Sequence, residues 1–302
     1  MSDFNVQKAE FAAARFFETG TVRFCSAETA VETALSALEL SACDEIIVAA
    51  NIFSDISGYF EKNNIKAVPA DVCKDSFSVL SADVMRKINN RTKAVVFSHA
   101  FGCPADIEAL AAELAERKLP LVEECVSCAG AVRFSEGKIM RPGHFGIGCV
   151  IERKFALICA KDSAFADRLP QSDAFCAKNF IELQPDFEII NGRRRLAAAR
   201  YIHLLAERNL YSDICMLPGD ENSFSTIPVF PLLAKNRDAL AECLAKSEIA
   251  CSVPEFVYEN TDCENFEALK QKLILLPAED ISAEQQEKII SMIAHFYRGQ
   301  IR

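Results

Sequence analysis

The sequence predicts an α/β fold: a three-layer, mainly parallel sheet covered by helices on both faces, then a smaller α+β C-terminal domain. Three observations carry this reading. Strand-like and helical runs alternate from Glu45 to Glu123, the pattern of βαβ units. The strand-like runs are short and almost wholly apolar, as in Ile46-Ile47-Val48 and Val95-Val96-Phe97, which suits strands buried on both faces. From about Asp162 the pattern turns helical, and after the long run 193–208 it reads as mixed α+β. The domains are therefore drawn at 1–190, the large α/β unit, and 191–302, a linking helix with the small α+β unit.

In chain order, Val6 to Glu18 reads as an amphipathic helix with Phe11, Ala14 and Phe17 inward. A second helix runs from about Glu28 to Leu40, with Val31, Leu35 and Leu38 on one face. Strands are predicted at 45–49, 66–70, 93–98 and 119–123, with helices at 53–63, 81–89 and 106–117; Asp106 is placed to cap the last of these. Residues 149–151 and 156–160 read as paired strands joined by the turn Glu152-Arg153-Lys154. The longest helical run is 193–208. A strand at 226–233 is placed at a sheet edge because of Pro228 and Pro231. Asn236 is read as capping a helix through Lys246, and 249–253 as another strand. Ser282 and Gln285 form a capping box that opens the last helix, with Ile289, Ile293 and Phe296 inward.

With 302 residues and 50% hydrophobic content the chain can build a large core. No apolar run approaches ~20 residues, so no membrane span is expected. The first residues lack a basic stretch followed by an apolar core, so no secretory signal is expected either. The 13 cysteines are scattered singly within apolar patterns, which points to reduced, buried thiols and a cytoplasmic chain. A formal net charge of −10 excludes a general nucleic-acid binder. The one basic cluster, Arg193, Arg194, Arg195 and Arg200, reads as a solvated helix face rather than an anion site.

Glu123 and Glu124 stand where the strand ending at 123 stops. Ligands of open parallel sheets bind beyond the carboxyl ends of strands, and buried acids there need partners. Glu124 is therefore the first candidate for chemistry.

The acids belong to a longer block. His99-Ala100-Phe101-Gly102-Cys103-Pro104-Ala105-Asp106 forms a loop before the helix, and Glu123-Glu124-Cys125-Val126-Ser127-Cys128-Ala129-Gly130-Ala131 follows it. This block resembles the DegT-type sugar aminotransferases, pyridoxal-phosphate enzymes of fold type I. That family carries a His-aromatic-Gly-x-Pro-Ala-Asp loop and a strand ending Glu-Asp-x-Ala-Gln-x-x-Gly-Ala. The likeness extends to Asp44 through Phe53, to Gly146 through Cys149, and to Lys272 through Ile293. It implies a type I transferase-like large domain, a homodimer, pyridoxal phosphate as cofactor if the protein is active, and a nucleotide-sugar ligand.

The resemblance also assigns site positions. Glu124 takes the place of the Asp that holds the pyridine nitrogen protonated, but is one methylene longer, enough to misplace a cofactor in a packed site. Ser127 replaces a Gln and is too short to reach the ring oxygen. The phosphate turn falls on residues 27–31, where Thr29 matches and Glu28 replaces a glycine. A carboxylate there satisfies the helix dipole by itself and repels phosphate, so a self-capped helix is the simpler reading. The stacking aromatic is replaced by Asn51, with Phe53 displaced. The Schiff-base lysine corresponds to Lys154, which stands in a turn where the family has a longer, glycine-rich loop, and which also reads as a surface residue. Glycine is scarce, 11 in 302 against a usual ~7%. The segment 168–190 is compressed relative to the family.

His99, Cys103, Cys125 and Cys128 form a competing set of zinc or iron ligands. Packing explains them more simply, and no metal is expected. Two functional readings follow. In the first, the chain is a shortened, degenerate homologue, a pseudoenzyme that binds a nucleotide-sugar or a partner, as a homodimer or paired with a paralogue. In the second, it is an active aminotransferase moving an amino group from glutamate to a keto-sugar nucleotide, with Lys154 as Schiff base.

Overall fold

The computed structural model describes residues 5–135, 138–141, 143–211, 214–216, 223–258 and 261–299. The chain opens with α1 (Val6–Phe16), β1 (Thr21–Cys25), α2 (Ala30–Ser36), β2 (Glu45–Ala49) and α3 (Ser57–Asn63). It continues with β3 (Lys66–Ala70), α4 (Ser81–Lys87), β4 (Thr92–Ser98), α5 (Glu108–Glu116) and β5 (Leu121–Val126). Two short strands, β6 (Val132–Ser135) and β7 (Lys138–Met140), precede the hairpin β8 (Ile147–Ile151) and β9 (Ala156–Ala160). Then come α6 (Ser163–Ala166), α7 (Ala174–Leu183) and the long α8 (Phe187–Glu207). The last part holds β10 (Ile214–Met216), β11 (Ser223–Phe224), β12 (Val229–Ala234), α9 (Arg237–Lys246), α10 (Glu264–Lys270), β13 (Leu273–Pro277) and α11 (Ala283–Gly299).

Seven strands form the central sheet in the order β1-β9-β8-β5-β4-β2-β3. β3, β2, β4, β5 and β8 are parallel, while β9 runs antiparallel to both neighbours. Every residue of β2 is buried, as a strand covered on both faces requires. Alternation along β8 and β9 shows the two covering layers. Cys149 and Ile158 pack with α2, whereas Val150 and Leu157 pack with α1 and α7. The predicted α/β class and three layers are what is found.

A second core lies between α8, α9 and α11 and the small sheet β10-β12-β13, around Tyr201, Leu232, Leu240, Ile274 and Ile290. Tyr201 stacks on Phe230 at 5.0 Å and donates to the Pro277 carbonyl at 3.0 Å. The Ser282–Gln285 capping box is present: Gln285 N donates to Ser282 Oγ at 3.1 Å, and Ser282 N to Gln285 Oε1 at 2.8 Å.

Some local expectations fail for identifiable reasons. Phe11 is 66% exposed, because α1 buries the stripe Ala9, Ala13 and Phe17 and Phe11 lies on the other side of the turn. Asp106 does not cap α5; its carboxylate pairs with Arg133 at 2.8 Å. β12 is central, not an edge, among the described strands of its sheet. Among the described residues β10 pairs with Leu232 to Ala234 and not with Pro231. Residues 249–253 make one isolated bridge, Ser252 to Leu275, rather than a strand.

Candidate functional site

The parallel register sets Ser98 at the end of β4 directly opposite Glu124 on β5. Successive strand residues face opposite ways, so Glu123 and Glu124 serve different surroundings. Both are wholly buried.

Glu123 is enclosed by donors. Gly143 N reaches its Oε2 at 2.8 Å, while Phe145 N and Gly146 N reach Oε1 at 2.8 and 2.7 Å. Ala105 N donates to His99 Nδ1 at 3.1 Å, which assigns the ring proton to Nε2; that N–H donates to Glu123 Oε2 at 3.1 Å. The acid therefore ties the loop after β4 to the turn before β8. Ligand atoms of His99, Glu123 and Cys125 lie within 4.8 Å of one another. The carboxylate lone pairs there are already committed to N–H groups. Burial pushes the Cys125 and Cys128 thiols well up, away from the thiolate a metal needs.

Glu124 is satisfied just as fully. Phe53 N donates to Oε2 at 3.1 Å, Ser54 N to Oε1 at 2.7 Å, and Ser98 Oγ to Oε2 at 2.6 Å. Three of a carboxylate's roughly four acceptor positions are filled by the chain itself. This bonding also explains why α3 begins at Ser57 rather than Phe53: residues 53 and 54 turn their N–H groups to the acid instead of entering a helix. The extra methylene of glutamate is what carries the carboxylate to that loop.

Over the loop sits an aromatic cluster. Phe53 packs on Phe101 at 5.7 Å and on Phe256 at 5.6 Å, and Phe77 stacks on Phe101 at 5.5 Å. Asn51 is buried; its Nδ2 donates to the Phe77 carbonyl at 2.6 Å while its Oδ1 is unpaired. Ser127 stands at φ 54, its N–H donating to the Ile151 carbonyl at 2.7 Å and its own carbonyl accepting from Thr226 Oγ1. Glu28 and Thr29 are exposed in a single 3-10 turn before α2, and neither side chain caps that helix. The self-capped helix is therefore not formed, because Glu28 lies within the turn rather than at the position preceding the helix.

Lys154 is exposed at the tip of the β8–β9 hairpin, where its carbonyl accepts from Asn179 Nδ2 at 2.7 Å. It lines a cavity of about 750 Å³ between the hairpin, α8 and the segment 278–286. None of Glu124, Ser127, Asn51 or Thr29 lines that cavity. A pyridoxal phosphate needs its lysine, its nitrogen partner and its phosphate turn around one ring. The residues as arranged do not fit it: three of the acid's acceptor positions are taken by residues 53, 54 and 98, and the amine lines a cavity that the acid does not.

Sequence reasoning missed much of this cavity. Glu152 accepts from Ala129 N at 2.7 Å, and burial pushes its carboxyl up to about 7. Arg194 turns inward, only 6% exposed, bonding Asn191 Oδ1 at 3.2 Å and Glu279 Oε2 at 2.7 Å. The arginine run was visible, but helical periodicity alone does not say which of its members faces the protein. The other partners, Glu279 above all, come from distant sequence.

The central sheet, with the acid pair inside β5 and the hairpin beside it, has the fold seen in pyridoxal-phosphate-type aminotransferases. The chain superposes on the S. venezuelae DesV ketimine complex with a TM-score of 0.83 at 20% identity, covering 96% of this chain and 88% of that one. Residues 4–146 match the model of the DegT/DnrJ/EryC1/StrS aminotransferase family. Among relatives, a pleiotropic regulatory protein of Geobacillus stearothermophilus is 24% identical over 313 residues, 89% of this chain and 82% of that protein. An L-glutamine:2-deoxy-scyllo-inosose aminotransferase of Micromonospora echinospora is 32% identical over 136 residues, 45% of this chain and 32% of the enzyme. The match to that enzyme thus spans about a third of its length. Among the described residues no helix is long and apolar enough to cross a membrane.

Proposed function

We propose that this chain keeps the aminotransferase scaffold without its cofactor chemistry and acts by binding. One observation carries the reading: Glu124, the only acid at the cofactor-nitrogen position, gives both oxygens to Phe53 N, Ser54 N and Ser98 Oγ. A carboxylate bonded in this way fixes a loop and keeps only about one of its four acceptor positions. The exposed Lys154 and the negative charge of Glu28 at the phosphate turn point the same way. One relative, aligned over 89% of the chain, bears the name of a regulatory protein, consistent with a binding role. The family suggests a nucleotide-sugar or a partner protein as the bound species, with assembly as a homodimer or with an active paralogue, in the cytoplasm.

The test is direct. Purified protein is mixed with pyridoxal phosphate, then with glutamate, and followed by absorbance. The expected result is no glutamate-dependent change in any band of bound cofactor. A yellow band that glutamate bleaches, and that is absent in Lys154→Ala, would establish instead the active aminotransferase with pyridoxal phosphate as cofactor.

A further inference from the structure

The cavity at the hairpin gathers several basic side chains. The chain is acidic overall, and Arg23, Arg86, Arg91, Arg208 and Arg237 each hold a carboxylate. At the cavity four exposed cations form no ion pair among the described residues. Arg153 and Lys154 come from the hairpin tip, and Arg193 and Arg200 from α8. The last two are seven residues apart and so share one helix face. The cations thus stand on two walls contributed by separate elements. A fifth, Arg194, is buried beneath them and held by Asn191 and Glu279. The mixed lining also includes the apolar side chains Phe155, Phe187 and Ile190.

We infer that this cavity binds a small organic phosphate, with the phosphate between the hairpin and α8 cations and an apolar body against Phe155 and Phe187. Two walls each bearing two positive charges match a dianion better than a single carboxylate. Guanidinium groups present paired N–H donors that suit phosphate oxygens. The volume of about 750 Å³ lies within the usual range for small-molecule sites. An isolated positive cleft on an acidic protein also concentrates anions at its mouth. Glu152, Glu279 and Asp280 line the same cavity; Glu279 pairs with Arg194, and burial raises the Glu152 carboxyl to about 7, so it is only partly ionised near neutral pH.

The inference rests on the binding role proposed above, but the two fail separately. A cofactor band bleached by glutamate would sink the non-catalytic reading and leave phosphate recognition standing. The probe is phenyl phosphate, titrated calorimetrically into the full chain at low salt, with inorganic phosphate and phenol in parallel. Saturable binding at one site is expected, about tenfold tighter for phenyl phosphate than for inorganic phosphate, equivalent to about 1.4 kcal/mol. Phenol alone should give no saturable signal. Arg193→Ala with Arg200→Ala should weaken binding at least about tenfold, and so should Arg153→Ala with Lys154→Ala. Lys246→Gln, on distant α9, should leave it unchanged. The substituted side chains are exposed, so unchanged melting temperatures are expected and are measured alongside. The proposal is overturned by no saturable binding of phenyl phosphate, by equal affinity in either double variant, or by inorganic phosphate binding as tightly as its phenyl ester.

Discussion

Ser98 and Glu124 lie opposite each other at the carboxyl ends of neighbouring parallel strands, and the serine hydroxyl donates to the carboxylate at 2.6 Å. The pair is wholly buried, and its remaining bonds go to backbone N–H groups of residues 53 and 54. An acid at the place where such folds do chemistry is here a fastener for a loop. Glu124→Ala should leave two N–H groups and a hydroxyl with a lost partner, at about 1–3 kcal/mol for each that stays dry. A loss of about 2–4 kcal/mol in urea unfolding is expected. Glu124→Asp should also destabilise, because the shorter side chain falls back from the loop. A Glu124→Ala protein as stable as the parent would remove the structural role.

The aromatic cluster above that loop makes a second prediction. Phe256 is 8% exposed and touches Phe53, Phe77 and Phe266. It lies outside any regular element and joins the later part of the chain to the loop held by Glu124. Phe256→Ala should cost about 3–5 kcal/mol through lost burial and the cavity left behind. The check is a lower urea midpoint at unchanged slope. A midpoint within error of the parent would mean that the loop can repack without the ring.

Gly102 offers a paired test of backbone and packing. It sits at φ +73, and an added Cβ would run into Thr226 Oγ1 and lie 2.9 Å from Pro228 Cδ. Thr226 is itself bonded to the Gly102 carbonyl through its N–H at 3.0 Å, so neither side can move freely. Gly102→Ala should destabilise by about 1–3 kcal/mol from backbone strain alone. Gly58, in α3, has nothing within 4 Å of an added Cβ. Gly58→Ala should therefore stabilise by about 0.5–1 kcal/mol. Thermal melts of both variants decide it; a shift of the same sign in each would contradict the assignment.

Much of the fold was legible because it rests on local patterns. The apolar runs of β2 and β4 mark buried strands, and Ser282 with Gln285 marks the start of α11, since each signal lies within a few residues. The acids at 123 and 124 were also legible as needing partners. What those partners are was not. Ser98 meets Glu124 only once β4 and β5 pair, and Phe256 reaches Phe53 across some 200 residues of sequence. The resemblance named Glu124 as a cofactor position, but only the three-dimensional arrangement reveals donors on both of its oxygens. Arg194 shows the same limit: its neighbours Arg193 and Arg195 are exposed or half-buried while it is buried, and its partner Glu279 lies 85 residues on.

Glu152 gives the clearest pH signature. Burial raises its carboxyl from an ordinary value near 4.5 to about 7, despite the Ala129 N–H and nearby Arg194, which favour the charged form. The folded chain therefore holds this proton between about pH 4.5 and 7 while the unfolded chain releases it. The group's contribution is fully present below the lower value and is lost as pH climbs through the upper one. At about 1.4 kcal/mol per unit the ceiling is about 3 kcal/mol, and the residue's partial exposure lowers it. Glu152→Gln keeps an acceptor for Ala129 N and cannot ionise. Its stability relative to the parent should therefore rise from pH 5 to about pH 7 and level off above that. Urea unfolding of both proteins at a series of pH values measures the difference. A difference that stays flat across the range would mean that the carboxyl titrates as an ordinary exposed glutamate.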